Sequence, residues 1–208
     1  MTRVKVCGIN DAAAFDTAAG AGADWIGLVF FARSPRFVTA ALAASLAARR
    51  PAGGPTLVGL FVEPTDDEVA AVLEAVPLDI LQLYAAPERA AAIGARFAKP
   101  FWRAVPVSAA ADLPGAMGGA AALVIEGRAP AGATRPGGNA AAFDWSLMAA
   151  WRAPGPWLLA GGLTVENVAA AIRATRAEAV DVSSGVESAP GHKDPARIRA
   201  FIAAARAA

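Results

Sequence analysis

Along the chain, short runs of β-branched or aromatic residues alternate with longer, alanine-rich stretches of helical character. Eight such runs predict strands: VKVCGI at 4–9, WIGLVFF at 25–31, TLVGLFV at 56–62, ILQLY at 80–84, FWRAVPV at 101–107, ALVIEG at 122–127, WLLAGGL at 157–163 and AVDVSSG at 179–185. Helix candidates fill the gaps, and several carry start signals. Thr65, Asp66, Asp67 and Glu68 precede Val69 to Val76, and Asp194 with Pro195 precedes Ile198 to Ala205. Eight strand-then-helix units predict an α/β fold, a single (β/α)8 barrel domain of the TIM type over residues 1–208, near the lower size limit of that fold. A doubly wound sheet would need fewer strands. The least regular stretch, GRAPAGATRPGGNAAA from Gly127 to Ala142, is too rich in Gly and Pro for a helix and follows the sixth run, so a barrel would place it as a loop at the catalytic face.

Composition narrows the picture without changing it. The hydrophobic fraction is 56% and the mean hydropathy +0.42, but the excess is alanine spread through charged segments. No unbroken apolar run approaches the roughly 20 residues of a spanning helix, so no membrane partner is expected. Lys plus Arg is 19 and Asp plus Glu 18, a formal charge of +1, with no basic stripe to neutralise a phosphate backbone; nucleic acid is not expected either. The single cysteine excludes an internal disulfide framework. The start MTRVKVCGI runs straight into a strand with no secretory signal, which points to the cytoplasm.

In such barrels the chemistry sits at the C-terminal ends of the strands. There the first run ends with Cys7 and Gly8, the sixth with Glu126, the seventh with Gly161 and Gly162, and the eighth with Asp181, Ser183, Ser184 and Gly185. A lone cysteine is ordinarily a small buried hydrophobe, but a strand-end position favours function. Alternation places Lys5 with Cys7, Gln82 with Tyr84, and Asp181 with Ser183 on shared faces. Their apolar neighbours Val4, Val6, Leu81 and Leu83 take the opposite faces, so the polar sides should point into the barrel. A lysine beside Cys7 is expected to favour the thiolate against an ordinary pKa of about 8.5.

Gly161 and Gly162, followed by Thr164 and a helix expected over VENVAAAI, suggest a turn whose bare N–H groups approach an anion at a helix N-terminus. On their own they would be read as a tight turn. Paired with Ser183, Ser184 and Gly185 one strand later, they favour a phosphate site, the usual role of the loops after strands seven and eight. Arg36, in RSPRFV, is open to two readings of equal weight: a guanidinium for a substrate carboxylate, or a solvated loop arginine. His192 lies among turn residues and reads as a surface histidine. No His, Cys or carboxylate cluster has metal-ligand spacing and no dinucleotide fingerprint follows the first strand, so neither metal nor cofactor is expected.

The blocks VKVCGI, GLVFFARSPRFV, VGLFV, ILQLY, FDWSL, LLAGGLTVENVAAAI and AVDVSSGVESAPGHKDPARIRAFI, in this order and over nearly the whole chain, closely resemble phosphoribosylanthranilate isomerase. The resemblance implies a (β/α)8 barrel of tryptophan biosynthesis that converts N-(5-phosphoribosyl)anthranilate, a small phosphoribosyl substrate, into a carboxyphenylamino-deoxyribulose phosphate by an Amadori rearrangement. It implies that Cys7 is the base, that the strand-six carboxyl, here Glu126, is the acid, and that Arg36 meets the anthranilate carboxylate. Asp181 would lie close to the sugar, and the turns at Gly161, Gly162, Ser184 and Gly185 would cradle the phosphate. Monomers and homodimers both occur in the family.

Three positions depart from the family pattern. The usual aspartate is Glu126, longer by one methylene, and as an acid near neutral pH it would need a pKa raised by burial or by a carboxylate such as Asp181. A common His-Gly pair is Tyr84 and Ala85, and a phenol can donate a hydrogen bond but cannot serve as a base near pH 7. In the strand-six loop, Gly137 and Gly138 are kept while a third glycine and a frequent lysine are replaced by alanine. The competing expectations are a histidine-pathway aminoaldose isomerase, which would use paired carboxylates and is disfavoured by Cys7, and a catalytically silent phosphosugar-binding paralogue.

Overall fold

The computed structural model describes residues 1–129, 132 and 143–208. The β-branched runs form β1 (Arg3–Cys7), β2 (Trp25–Val29), β3 (Thr56–Val62), β4 (Ile80–Tyr84), β5 (Phe101–Val107), β6 (Ala122–Gly127), β7 (Trp157–Leu159) and β8 (Ala179–Val182). Each pairs in parallel with the next and β8 pairs with β1, closing the barrel. Runs of alternating small and branched residues suit such strands because both of their faces are covered. Val4, Val6, Leu81, Leu83, Leu123 and Ile125 belong to the large core between barrel and helices, whereas Trp25, Val58, Trp102, Ala122, Val124, Leu158 and Ala179 pack together in a separate inner core.

Helices α1 (Ala12–Gly20), α2 (Ala40–Ala47), α3 (Asp66–Ala75) and α4 (Pro87–Phe97) follow the first four strands; α5 (Val168–Thr175) follows β7 and α6 (Pro195–Arg206) follows β8. The start signals act as expected. Thr65 and Glu68 form a capping box at α3, and the Asp194 carboxylate accepts from the N–H groups of Ala196 and Arg197 at 2.8 and 3.2 Å at α6. The alternation of strand and helix fails in one described gap. Residues 108–121 hold only a 3-10 turn at Ala110–Asp112, because Pro114, Gly115, Gly118 and Gly119 interrupt any helical run. After β6 the described residues hold a 3-10 turn at Trp145–Met148, and most of the expected loop from Gly127 to Ala142 lies outside the described residues.

Strands β1, β2, β7 and β8 end before their hydrophobic runs do. At β7 the cause is local: Gly161 and Gly162 take φ of +83° and +63°, which no strand accommodates. Beyond β8 the chain makes a 3-10 turn at Ser184–Val186, then a short antiparallel hairpin of β9 (Glu187–Ala189) and β10 (His192–Lys193). Among the described residues, no helix is long and apolar enough to cross a membrane.

Candidate active site

The C-terminal ends of the strands open into a cleft of about 650 Å³ lined by Cys7, Arg36, Gln82, Tyr84, Glu126, Gly161, Gly162, Asp181, Ser183 and Ser184, among others. Gly185 lines an adjoining cleft that shares Gly162 and Ser184. Apart from Gly8, which lines neither cleft, the residues singled out from the strand ends therefore converge on one mouth of the barrel. His192 is exposed, as its turn context suggested.

The parallel register of β1 against β8 sets Lys5 opposite Asp181. The Lys5 Nζ donates to Asp181 Oδ2 at 2.8 Å, with the lysine fully buried. Cys7 stands two residues further along the same face of β1. Gly27 on the adjacent strand leaves it room, since a Cβ there would come within 2.8 Å of Sγ and 3.2 Å of Lys5 Nζ. Lys5 favours the thiolate, as expected, but the Cys7 thiol is nevertheless pushed up, because burial outweighs the lysine and Asp181 adds to the rise.

Glu126 has the raised carboxyl that the sequence reading required of an acid near neutral pH. It is 4% exposed and its carboxyl is pushed up to about 8, first by burial, with Asp181 adding and the Tyr84 hydroxyl and Lys5 opposing. A group with that value is protonated at neutral pH. Among the described residues, Glu126 Oε1, Asp181 Oδ1 and both polar atoms of the Gln82 amide are buried without a hydrogen-bond partner. Such atoms are rare in folded proteins, and four around one cleft mark it as a place where a polar molecule completes the set.

Arg36 fits neither sequence expectation in full. It is 3% exposed, so it is not a solvated loop residue, and one edge of its guanidinium is taken: Nε and Nη2 donate to Glu187 Oε1 and Oε2 at 2.6 and 2.8 Å. The Nη1 corner has no partner among the described residues, and Arg36 lines the cleft. The Lys193 ammonium, also buried, donates to Glu187 Oε1 at 2.8 Å and to the Ser183 carbonyl at 2.9 Å. Burial, with Arg36 adding, lowers it to about 8 against the opposing pull of Glu187. Glu187 is held below the ordinary carboxylate range by Arg36 and Lys193, which overcome its burial. Sequence reasoning passed over both partners. The only signal was their place in the blocks GVESAPG and HKDP, where attention went to His192.

The two glycine-bearing turns touch. A side chain at Gly185 would collide with the Leu163 carbonyl, so only glycine lets the β8 turn lie against the β7 turn. Asn167 holds the β7 turn, donating to the Gly162 carbonyl at 2.9 Å and accepting from the Thr164 N–H at 2.8 Å. Helix α5 begins at Val168, three residues later than expected, because Val165 to Asn167 form this turn. The backbone N–H groups of Gly161, Gly162 and Ser184 find no acceptor among the described residues. Unpaired N–H groups on adjoining turns make a nest for an anion. Among the described residues no group of three or more His, Cys, Asp or Glu side chains is arranged for a metal ion.

A family profile described as N-(5'phosphoribosyl)anthranilate (PRA) isomerase matches residues 4–204. The chain is similar to the N-(5'-phosphoribosyl)anthranilate isomerase of Acidiphilium cryptum, 55% identical over 210 residues and 100% of both chains. It is 53% identical over 209 residues to that of Paracoccus denitrificans, covering 98% of this chain and 97% of the other. Among solved structures, a phosphoribosyl anthranilate isomerase from Thermus thermophilus superposes with a TM-score of 0.86 at 31% identity over 99% of each chain. Another, in complex with reduced 1-(o-carboxyphenylamino)-1-deoxyribulose 5-phosphate, gives 0.82 at 32% identity over 100% of each.

Proposed function

The chain belongs to the N-(5'-phosphoribosyl)anthranilate isomerase family, and we propose that Glu126 and Cys7 are the acid and base with which it converts N-(5-phosphoribosyl)anthranilate into 1-(2-carboxyphenylamino)-1-deoxyribulose 5-phosphate. This is the Amadori step of tryptophan biosynthesis. Glu126 gives its proton to the ring oxygen as the bond from C1 breaks, leaving an iminium at C1. Cys7 takes the proton from C2, and the resulting enol amine becomes the ketone as it takes a proton at C1 from the Cys7 thiol and releases its C2 hydroxyl proton to the Glu126 carboxylate, which returns both groups to their starting states. The substrate and product are isomers, so no redox partner or cofactor is called for.

The observation that carries this reading is the buried Glu126 carboxyl at about 8, protonated at neutral pH and set in the same cleft as Cys7. Electrostatics agree. With Cys7 and Glu126 neutral, the buried charges are Lys5, Arg36 and Lys193 against Asp181 and Glu187, three cations to two anions, which suits an anionic substrate. The phosphate goes to the N–H groups of Gly161, Gly162, Ser184 and Gly185 with Ser183 beside them; the anthranilate carboxylate goes to the open corner of Arg36; Asp181 meets the sugar. On this reading residues 1–208 act as one domain in the cytoplasm on a small phosphoribosyl molecule. No specific observation favours a silent phosphosugar binder, and a carboxyl and a thiol suited to the two proton transfers line the same cleft.

The test is turnover of phosphoribosylanthranilate generated in place from anthranilate and phosphoribosyl pyrophosphate, followed by loss of its fluorescence. Cys7→Ser and Glu126→Gln are each expected to lower kcat by about 10²–10⁴-fold while binding of the reduced product analogue persists. Near-normal turnover of Glu126→Gln would assign the acid to another group.

A further inference from the structure

We infer that Glu187 and Lys193 are positioning residues that aim the open edge of Arg36 at the substrate carboxylate and tie that aim to the phosphate turn after β8. The inference rests on the assignment of Arg36 to the carboxylate and adds what holds it there.

The geometry is a buried relay between parts of the chain far apart in sequence. Arg36 follows β2, Glu187 begins β9, Lys193 ends β10, and Ser183 comes immediately after β8. A guanidinium has two edges able to grip a carboxylate in parallel hydrogen bonds. Glu187 occupies the Nε–Nη2 edge with both oxygens, which fixes the plane of the group and leaves Nη1 without a partner among the described residues, on a side chain that lines the cleft. Glu187 is itself held from two sides, by the Lys193 ammonium on Oε1 and by the Gly191 N–H on Oε2 at 3.3 Å. Lys193 spends its remaining donors on the Ser183 carbonyl and, at 3.3 Å, its hydroxyl. Gly8 completes the seat: a side chain there would press into the Arg36 methylenes.

A buried ion pair is poor evidence for stability, because desolvation of both partners offsets their attraction and apolar residues of equal volume often serve as well. Three charges buried in a relay that ends at a ligand turn are better explained by the geometry they impose. The fixed distance between the Nη1 corner and the β8 turn then selects a molecule carrying a carboxylate and a phosphate at matching separation.

The experiment compares three probes by equilibrium binding to the full chain: the reduced product analogue, its counterpart lacking the carboxyl group, and inorganic phosphate. In Glu187→Gln the preference for the carboxylated ligand should fall by about tenfold or more, while affinity for the decarboxy ligand and for phosphate stays within about twofold. Glu187→Asp, which keeps the charge but withdraws it by one methylene, should show the same loss in smaller measure and serves if Glu187→Gln does not fold. Lys193→Met should weaken all three probes, phosphate included, with partial recovery in Lys193→Arg. Equal weakening of both organic ligands in the Glu187 variants, or no change, would overturn the inference. Arg36→Met separates this from the underlying assignment: if it does not reduce the preference for the carboxylated ligand, the carboxylate reading of Arg36 fails; if it does and both Glu187 variants do not, only the positioning role fails.

Discussion

The two ends of the barrel interior are built from the same alternating positions and end in opposite chemistry. Read from the N-terminal end upward, β6 presents Ala122, Val124 and then Glu126; β8 presents Ala179, Asp181 and, just past its end, Ser183; β4 presents Ile80, Gln82 and Tyr84. At the lower end Trp25 and Trp102 meet edge to face, with ring centroids 5.2 Å apart, over Val58, Val124 and Leu158. Arg3 closes the layer from beneath, its guanidinium 5.0 Å from the Trp25 ring centroid. None of these side chains holds a buried polar atom without a hydrogen-bond partner. At the upper end Gln82, Glu126 and Asp181 keep buried polar atoms with no partner among the described residues. The lower layer supplies stability that the upper layer forgoes in order to meet a ligand.

Breaking the lower layer should therefore cost stability and spare chemistry. Trp102→Ala is expected to lower the unfolding free energy by about 3–5 kcal/mol, read by denaturant titration, while kcat per folded molecule stays near normal. A comparable fall in kcat would mean that the two ends are coupled.

The upper layer should show the reverse. Gln82→Leu removes two unpartnered polar atoms at similar volume, so stability should stay within about 1 kcal/mol or rise. Turnover should still fall, with kcat/KM down by about tenfold if the amide meets the substrate. A variant as active as the parent would remove Gln82 from the site.

The smallest effect, and the sharpest for the acid–base assignment, is the pH profile. On the proposed assignment the working form has a Cys7 thiolate and a protonated Glu126. Below pH 8 Glu126 keeps its proton while the thiolate fraction grows about tenfold per unit, so kcat/KM should rise. Above about 8 Glu126 loses its proton as fast as thiolate forms, which flattens the curve; above the raised Cys7 value it falls. The maximum should lie on the alkaline side, and Trp102→Ala should leave it in place. An optimum below pH 7 would contradict the protonation states derived for both groups.

Local rules accounted for much of this. The runs at 56–62, 80–84, 101–107 and 122–127 are strands at the stated bounds, since alternating apolar side chains and flanking Gly and Pro are properties of neighbours in the chain. The same alternation sorted Lys5, Cys7, Gln82 and Asp181 to the inside. The helix missing after β5 was legible too, in Pro114 and the glycines beyond it. Family blocks pointed to the proposed acid, base and phosphate turns.

What the sequence alone determined is thus the order of strands, the face each side chain takes and the residues gathered at the mouth, because these follow from a period of two and from closure of the barrel. Only the tertiary structure decided which charges meet and which groups hold protons. Arg36 and Glu187 are 151 residues apart and Lys5 and Asp181 176 apart, so no local pattern announces either pair. The rise of Glu126 and Cys7, against the pull of Lys5, follows from burial, and burial is a property of the closed barrel rather than of any segment of it.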